Sequence, residues 1–134
     1  MTTTNNASAY IPGNENINKE EITYRRRAGY VGVGLFLVVL ALCLLFTSIM
    51  WWRLLLVLPA YLAAIGFLQA HYKFCVAYGS SARQNAEPGS KQAHTVTNEA
   101  SLQKDIRRSR IIQIQAVIIA AGATTATFCI PPFK

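Results

Sequence analysis

One histidine and one cysteine in this sequence are spaced so that they could act together. His71 and Cys75 lie four residues apart, which places them on one face if a single helix carries both. Imidazole and thiolate groups bind metal ions or haem, but such a site needs further ligands, and His94 is the only other histidine. The alternatives are a reactive thiol at Cys75, assisted by Lys73, and a structural histidine beside Tyr72.

The common catalytic patterns are absent from the sequence. It has no nucleophile–base pair at a recognisable spacing, no glycine-rich phosphate loop and no dinucleotide-binding fingerprint. Its three cysteines include no C-x-x-C pair, so they predict neither a disulfide framework nor a zinc site. We therefore expect a protein that is not an enzyme and that carries no cofactor and no metal.

The basic residues account for a net charge of +7 and are unevenly distributed. They gather just outside apolar stretches, an arrangement typical of the cytoplasmic flanks of membrane helices. A nucleic-acid partner is not expected, because no basic patch stands apart from these flanks. The clusters instead predict contact with anionic lipid headgroups through Arg25, Arg26, Arg27, Lys104, Arg107, Arg108 and Arg110.

Three long apolar stretches indicate the fold class. Charged residues make up 14% of the 134 residues, whereas an average soluble domain has about 25%. The stretches 28–50, 54–72 and 111–130 have no polar face to offer water, so they predict an all-α integral membrane protein with three transmembrane helices. No ionisable side chain lies well inside them, which argues against a proton-coupled transporter.

The first two stretches cannot form one continuous helix. A helix over residues 28–68 would be about 60 Å long, roughly twice the hydrocarbon thickness of a bilayer. We expect a turn at Met50–Arg53, where two tryptophans favour the interface and Arg53 requires water. The prediction is a tight helical hairpin whose second helix is kinked at Pro59.

The chain divides into five parts on composition. Asn18, and either Thr97 or Asn98, are placed to cap helix N-termini. The predicted parts are a disordered N-terminal tail (1–18), a transmembrane hairpin (19–78), a cytoplasmic loop (79–98), an amphipathic start with the third transmembrane helix (99–130) and a C-terminal end (131–134).

Lysine and arginine counts predict the orientation. The N-terminal flank and the 70–110 region hold most of the basic residues, whereas the hairpin turn has only Arg53 and the C-terminal end only Lys134. By the positive-inside rule, the N-terminus and the loop are cytoplasmic, and the C-terminus is outside. The expected location is the cell membrane, which in bacteria is the inner or cytoplasmic membrane.

Small residues recur at helical spacing in two of the three apolar stretches. Such residues let helices approach closely, either within one chain or between a chain and its partner. The sequence leaves both possibilities open, so a homo-oligomer and a membrane-protein partner are both expected candidates. The predicted packing positions are Ala28, Gly32, Ala116, Ala120, Gly122 and Thr124.

Residues 25–79 resemble a short bacterial inner-membrane helical-hairpin domain of unknown function, which also occurs fused to rhodanese domains. The resemblance rests on the arginine cluster, a glycine-containing first helix, a tryptophan at the turn, Pro59 and Gly66, and the run Phe74–Tyr78. That family tends to have Phe-Cys-Pro where this chain has Val76 after the cysteine, and this chain adds a third helix. The resemblance implies a bacterial membrane location and no particular activity.

The sequence thus favours a non-enzymatic accessory or scaffold subunit that acts by helix packing in a membrane. One alternative is a small homo-oligomeric pore or carrier. The other is a membrane-bound thiol or redox protein that uses Cys75.

Overall fold

The computed structural model describes residues 10–46 and 48–133. Over these residues the chain is mostly helical, as predicted, and three of its helical segments are long and apolar enough to cross a membrane. A short two-stranded ladder accompanies the helices. The elements are α1 (Lys19–Phe46), a 3-10 helix (Met50–Leu56), α2 (Val57–Tyr72), α3 (Val76–Ser80), β1 (Arg83–Gln84), β2 (His94–Thr95) and α4 (Glu99–Thr127).

Both predicted N-caps are confirmed. The Asn18 side-chain oxygen accepts a hydrogen bond of 3.0 Å from the Glu21 amide at the start of α1, and Asn98 does the same for Ser101 at the start of α4. Each bond satisfies a backbone donor that the first turn of a helix leaves unpaired.

The first two long helices form a hairpin with very close backbone contact, which agrees with the predicted packing. A Cβ built at Gly32 would lie 2.4 Å from the Ala63 amide nitrogen, and one at Gly66 would lie 2.6 Å from the Gly29 nitrogen. Only residues without a Cβ permit this separation, so glycines on both helices set the distance between α1 and α2.

The reversal between these helices lies earlier than the predicted Met50–Arg53. Helix α1 ends at Phe46, and Met50–Leu56 is already a 3-10 helix that runs directly into α2. Pro59 is the third residue of α2 and follows the 3-10 helix closely.

Helix α4 packs against α2 through one narrow face. Ile112, Ala116 and Ala120 are fully buried, and Thr124 is 5% exposed. Small side chains at this spacing bring the two helices close together. Since α1 contacts α2 extensively but barely contacts α4, α2 is the central helix of the three.

Helix α2 ends before Cys75, which corrects the prediction that His71 and Cys75 share a helix face. Lys73 adopts a left-handed conformation with φ 53°, and Phe74 and Cys75 are not helical. The chain turns inward at this point, so that Phe74 and Cys75 are fully buried while His71 remains exposed.

Two regions predicted to lack structure are ordered where the structure describes them. Residues 10–18 of the predicted tail pack against the end of α2, with Asn16, Ile17 and Asn18 buried, while residues 1–9 lie outside the described part. The predicted 79–98 loop contains the antiparallel pairing of β1 with β2. Local composition missed both because long-range hydrogen bonds hold them: the Asn16 amide donates to the Lys73 carbonyl, and the Asn85 amide donates to the Asn16 carbonyl.

Candidate functional site

A buried polar cluster lies beside the end of α2 and is built around Asn16 and Cys75. The Asn16 side chain donates from Nδ2 to the Cys75 carbonyl at 3.1 Å and accepts at Oδ1 from the Cys75 amide at 2.6 Å. Both residues are buried. The asparagine therefore supplies both hydrogen bonds that a neighbouring β-strand would give to Cys75.

The Cys75 thiol belongs to a chain of side-chain hydrogen bonds. Arg25 donates to the Cys75 sulfur at 3.1 Å and to a Glu21 carboxylate oxygen at 3.4 Å. The Tyr78 hydroxyl donates to the other Glu21 oxygen at 3.4 Å. Burial and the negative charge of Glu21 raise the pKa of Tyr78. Glu21 thus accepts hydrogen bonds from Arg25 and Tyr78. The Cys75 thiol, which was predicted to be reactive, is buried and accepts a hydrogen bond from Arg25.

A second buried polar group, the Asp105 carboxylate, is carried by α4. The Asp105 carboxylate is fully buried and accepts hydrogen bonds of 2.6 Å from both the Tyr10 hydroxyl and the Gly13 amide. Burial, followed by the bond to Asp105, raises the pKa of Tyr10 well above the ordinary value for tyrosine. Asp105 therefore fastens the N-terminal segment 10–18 to α4.

At the opposite end of the molecule, Arg53 is buried instead of facing water as expected. It is 2% exposed, and its guanidinium donates to the Thr127 carbonyl at 2.5 Å and to the Ile130 carbonyl at 2.6 Å. Thr127 is the last residue of α4, and Ile130 lies three residues beyond it. The C-terminus of a helix carries partial negative charge, which favours a cation. Arg53 thus joins the 3-10 helix before α2 to the end of α4.

His71 is exposed at the end of α2. His71 stacks edge-on against Tyr72, with ring centroids 5.0 Å apart. Within residues 10–46 and 48–133, no group of three or more histidine, cysteine or acidic residues converges in a way that could hold a metal ion.

The residues predicted to contact lipid headgroups separate into two kinds. Arg26, Arg27, Lys104, Arg107 and Arg110 are exposed, as that role requires. Arg25 and Arg108 are partly buried: Arg25 bonds to the thiol, and the Arg108 guanidinium lies 4.3 Å above the Tyr72 ring. An aromatic ring held at this distance attracts a cation.

The small residues predicted to pack also separate. Gly32, Ala116, Ala120 and Thr124 lie buried between helices of this chain, and Ala28 is partly buried. Gly122 faces open space, with no atom near the position of a Cβ.

An apolar groove runs between α1 and α4 across the face of α2. Its volume is about 220 Å³, and its lining consists of Val33, Phe36, Ala60, Ala63, Ala64, Phe67, Ile119 and Ala123. The groove exists because α1 and α4 both contact α2 and hardly touch one another. Alanines form much of the α2 side, so a bulky chain or a helix can approach closely.

Sequence reasoning did not identify Asn16, Asp105 or the buried state of Arg53. Each depends on a partner far away in the chain: Asn16 on Cys75, Asp105 on Tyr10 and Arg53 on Thr127. Asp105 gave one usable signal, since it is an isolated acid among the basic residues at the start of α4.

No family model, curated protein or solved structure matches this chain. The resemblance of residues 25–79 to a bacterial hairpin domain therefore stays a prediction.

Proposed function

We propose that this chain is a multi-pass protein of the cell membrane that works without catalysis, as an accessory or scaffold subunit presenting a fixed set of helix faces to a partner. Its long helices expose many large apolar side chains, among them Leu35, Val38 and Ile118, which are 48%, 58% and 64% exposed. Water penalises such surfaces, whereas lipid tails or another membrane protein do not.

The apolar groove between α1 and α4 is the observation that carries the proposal. Its α2 side is formed by Ala60, Ala63 and Ala64, and its α4 side by Ile119 and Ala123. A transmembrane helix from a partner can approach such a surface closely, and close approach drives helix association among lipids.

The buried polar groups support a non-catalytic role. Asp105 and Arg53 each bind groups of distant segments, and the Cys75 backbone is bound by Asn16. These hydrogen bonds stabilise the fold by joining distant segments. None of Asp105, Arg53 and Asn16 lines the apolar groove.

The hydrogen bonds of Arg53 and of residues 10–18 support the proposed orientation. Arg53 binds the end of α4, so the 3-10 helix and the C-terminal end of α4 lie at one end of the molecule. Residues 10–18 and the region around β1 and β2 meet at the other end. The second end holds most of the basic residues, and the positive-inside rule places that end in the cytoplasm.

Photo-crosslinking in native membranes tests the proposal. A photoreactive amino acid replaces Ala123, which lines the groove, or Ala121, which is exposed on α4 outside the groove. We expect one discrete adduct with a different membrane protein from position 123 and a much weaker one from position 121. Equal adducts from both positions would contradict a groove-specific partner.

The two alternative functions predict other results in the same experiment. A homo-oligomeric pore or carrier would give a ladder of adducts between copies of this chain and no foreign protein. A thiol or redox protein would lose its cellular role on substitution of Cys75 by Ser, while its crosslinks at position 123 would not change.

A further inference from the structure

Three cations on α4 surround one pocket near the start of that helix. The pocket has a volume of about 260 Å³, and no acidic residue is among those that line it. Its lining consists of Lys104, Arg107, Arg108, Ile111, Pro12 and Gly13. A concave surface with converging positive charge concentrates the field at its centre and attracts an anion.

Arg108 is positioned in this pocket and has spare hydrogen-bonding capacity. Its guanidinium carbon lies 4.3 Å from the centre of the Tyr72 ring, which restricts its movement. Its Nε is fully buried and has no hydrogen-bond partner among the described residues. Arg108 itself lines the pocket, so its guanidinium can donate hydrogen bonds to an anionic oxygen there.

The opposite wall of the pocket is fixed by Asp105. This carboxylate binds the Gly13 amide and the Tyr10 hydroxyl, so its charge is directed at the N-terminal segment. Gly13 has a φ of +71°, and a Cβ there would lie 3.0 Å from the Lys104 Cβ. The wall therefore approaches α4 closely, and Asp105 holds it there.

Directly beyond the pocket, α4 carries a stripe of exposed isoleucines. Ile111, Ile114 and Ile118 are 38%, 58% and 64% exposed. They follow Arg107 at intervals of three or four residues, which places all four on one side of the helix. A charged pocket continuous with an apolar stripe matches a molecule with an anionic head and an acyl tail.

We propose that this pocket binds the phosphate of an anionic phospholipid, with Lys104, Arg107 and Arg108 around the headgroup and an acyl chain along the isoleucine stripe. The inference rests on the membrane location in the proposed function, since only there do a headgroup and α4 lie side by side. It goes beyond general attraction to a charged surface, because it assigns one lipid to one site.

Native mass spectrometry of the full chain, purified in detergent, tests the assignment. The probes are dioleoylphosphatidylglycerol, dioleoylphosphatidylcholine and inorganic phosphate at equal concentrations. We expect one retained phosphatidylglycerol per chain, little retained phosphatidylcholine and no displacement by inorganic phosphate. Displacement by phosphate would overturn the lipid assignment in favour of a site for a soluble anion.

Two matched double variants separate a site from diffuse charge. R107Q/R108Q removes two charges from the pocket, and R83Q/K91Q removes two exposed charges between α3 and β2. Loss of two cations near a headgroup should weaken retention of phosphatidylglycerol roughly ten- to thirtyfold for the first variant. The second variant should change it less than about twofold, since Arg83 and Lys91 lie outside the pocket. Equal loss of phosphatidylglycerol retention in both variants would contradict a specific lipid site in this pocket.

A third variant covers the case in which loss of Arg108 disturbs folding through Tyr72. K104Q/R107Q keeps the Arg108–Tyr72 contact and should still weaken retention about tenfold or more. Vesicle flotation distinguishes this inference from the proposed function. A chain that fails to float with vesicles refutes the membrane location, whereas one that floats but retains phosphatidylglycerol equally in all variants refutes only the lipid site.

Discussion

Asn16 binds the backbone of Cys75 on both sides, donating to its carbonyl at 3.1 Å and accepting from its amide at 2.6 Å. The two residues are 59 positions apart in the chain, and both are buried. This one side chain fixes the turn after α2, where the chain leaves the helix and enters the polar end of the molecule.

Asn16→Ala should destabilise the protein more than Asn14→Ala. Loss of the side chain leaves the buried amide and carbonyl of Cys75 without partners, at about 1–3 kcal/mol each. Asn14 is exposed, so Asn14→Ala is the matched control. Thermal unfolding followed by circular dichroism in detergent measures the difference. Equal melting temperatures for the two variants would show that water replaces the asparagine without cost.

Cys75 should react slowly with a maleimide, whereas Cys129 should react quickly. Cys75 is fully buried and accepts a hydrogen bond from Arg25, but Cys129 is exposed. Attack on a maleimide requires an accessible thiolate. Mass spectrometry of peptides after timed labelling gives both rates. Faster labelling of Cys75 than of Cys129 would support the alternative function in which Cys75 is a reactive thiol.

Replacement of Arg53 by Met should lower the free energy of unfolding by about 1–3 kcal/mol. Two charge-assisted hydrogen bonds are lost, and the relief from burying a guanidinium offsets part of that loss. Arg53→Lys should give an intermediate value, because an ammonium is a single point donor. The exposed Arg83 provides the control Arg83→Met, which should leave stability unchanged. A Met variant more stable than the natural chain would mean that desolvation outweighs the bonds.

Gly32→Ala should force α1 away from α2, while Gly34→Ala should not. The added Cβ would lie 2.4 Å from the Ala63 nitrogen at position 32 and would meet nothing within 4 Å at position 34. Overpacking of this kind costs about 1–3 kcal/mol. Unfolding in mixed detergent–SDS micelles compares the two. The conclusion fails if both variants unfold at the same SDS fraction.

The stability of the protein should decline above about pH 10, and Tyr10 should account for part of that decline. Burial and Asp105 raise the pKa of Tyr10 in the folded chain. Because the folded pKa is above the unfolded one, the stabilising contribution is complete below the unfolded pKa and is lost as the pH rises towards the folded pKa. Tyr10→Phe should be less stable at neutral pH and should show a shallower decline between pH 9 and 11. Identical pH profiles would contradict this assignment.

The three long helices and the N-caps of α1 and α4 were predictable because the signals are local. An uninterrupted apolar stretch indicates a helix without knowledge of its neighbours, and Asn18 or Asn98 caps an amide only three residues away. The hairpin followed from length alone, since one helix over both stretches would be about 60 Å long.

The polar end of the molecule was not predictable for the opposite reason. Ile17 stands alone among polar residues, so residues 10–18 carry no apolar periodicity, yet Ile17 is 4% exposed. Its burial depends on the bonds of Asn16 to Lys73, Cys75 and Asn85. Similarly, Arg53 was expected to need water because its acceptors, the carbonyls at the end of α4, are fixed only by the tertiary fold.

The bond between Arg53 and the end of α4 also has a consequence for biosynthesis. During translation Arg53 emerges more than seventy residues before the Thr127 carbonyl that receives it, so its charge must stay hydrated until the last helix arrives. A nascent chain halted before residue 127 retains an unshielded cation in the 3-10 helix. Completion of α4 removes that cation from solvent, so finished and unfinished chains present different surfaces at this end of the molecule.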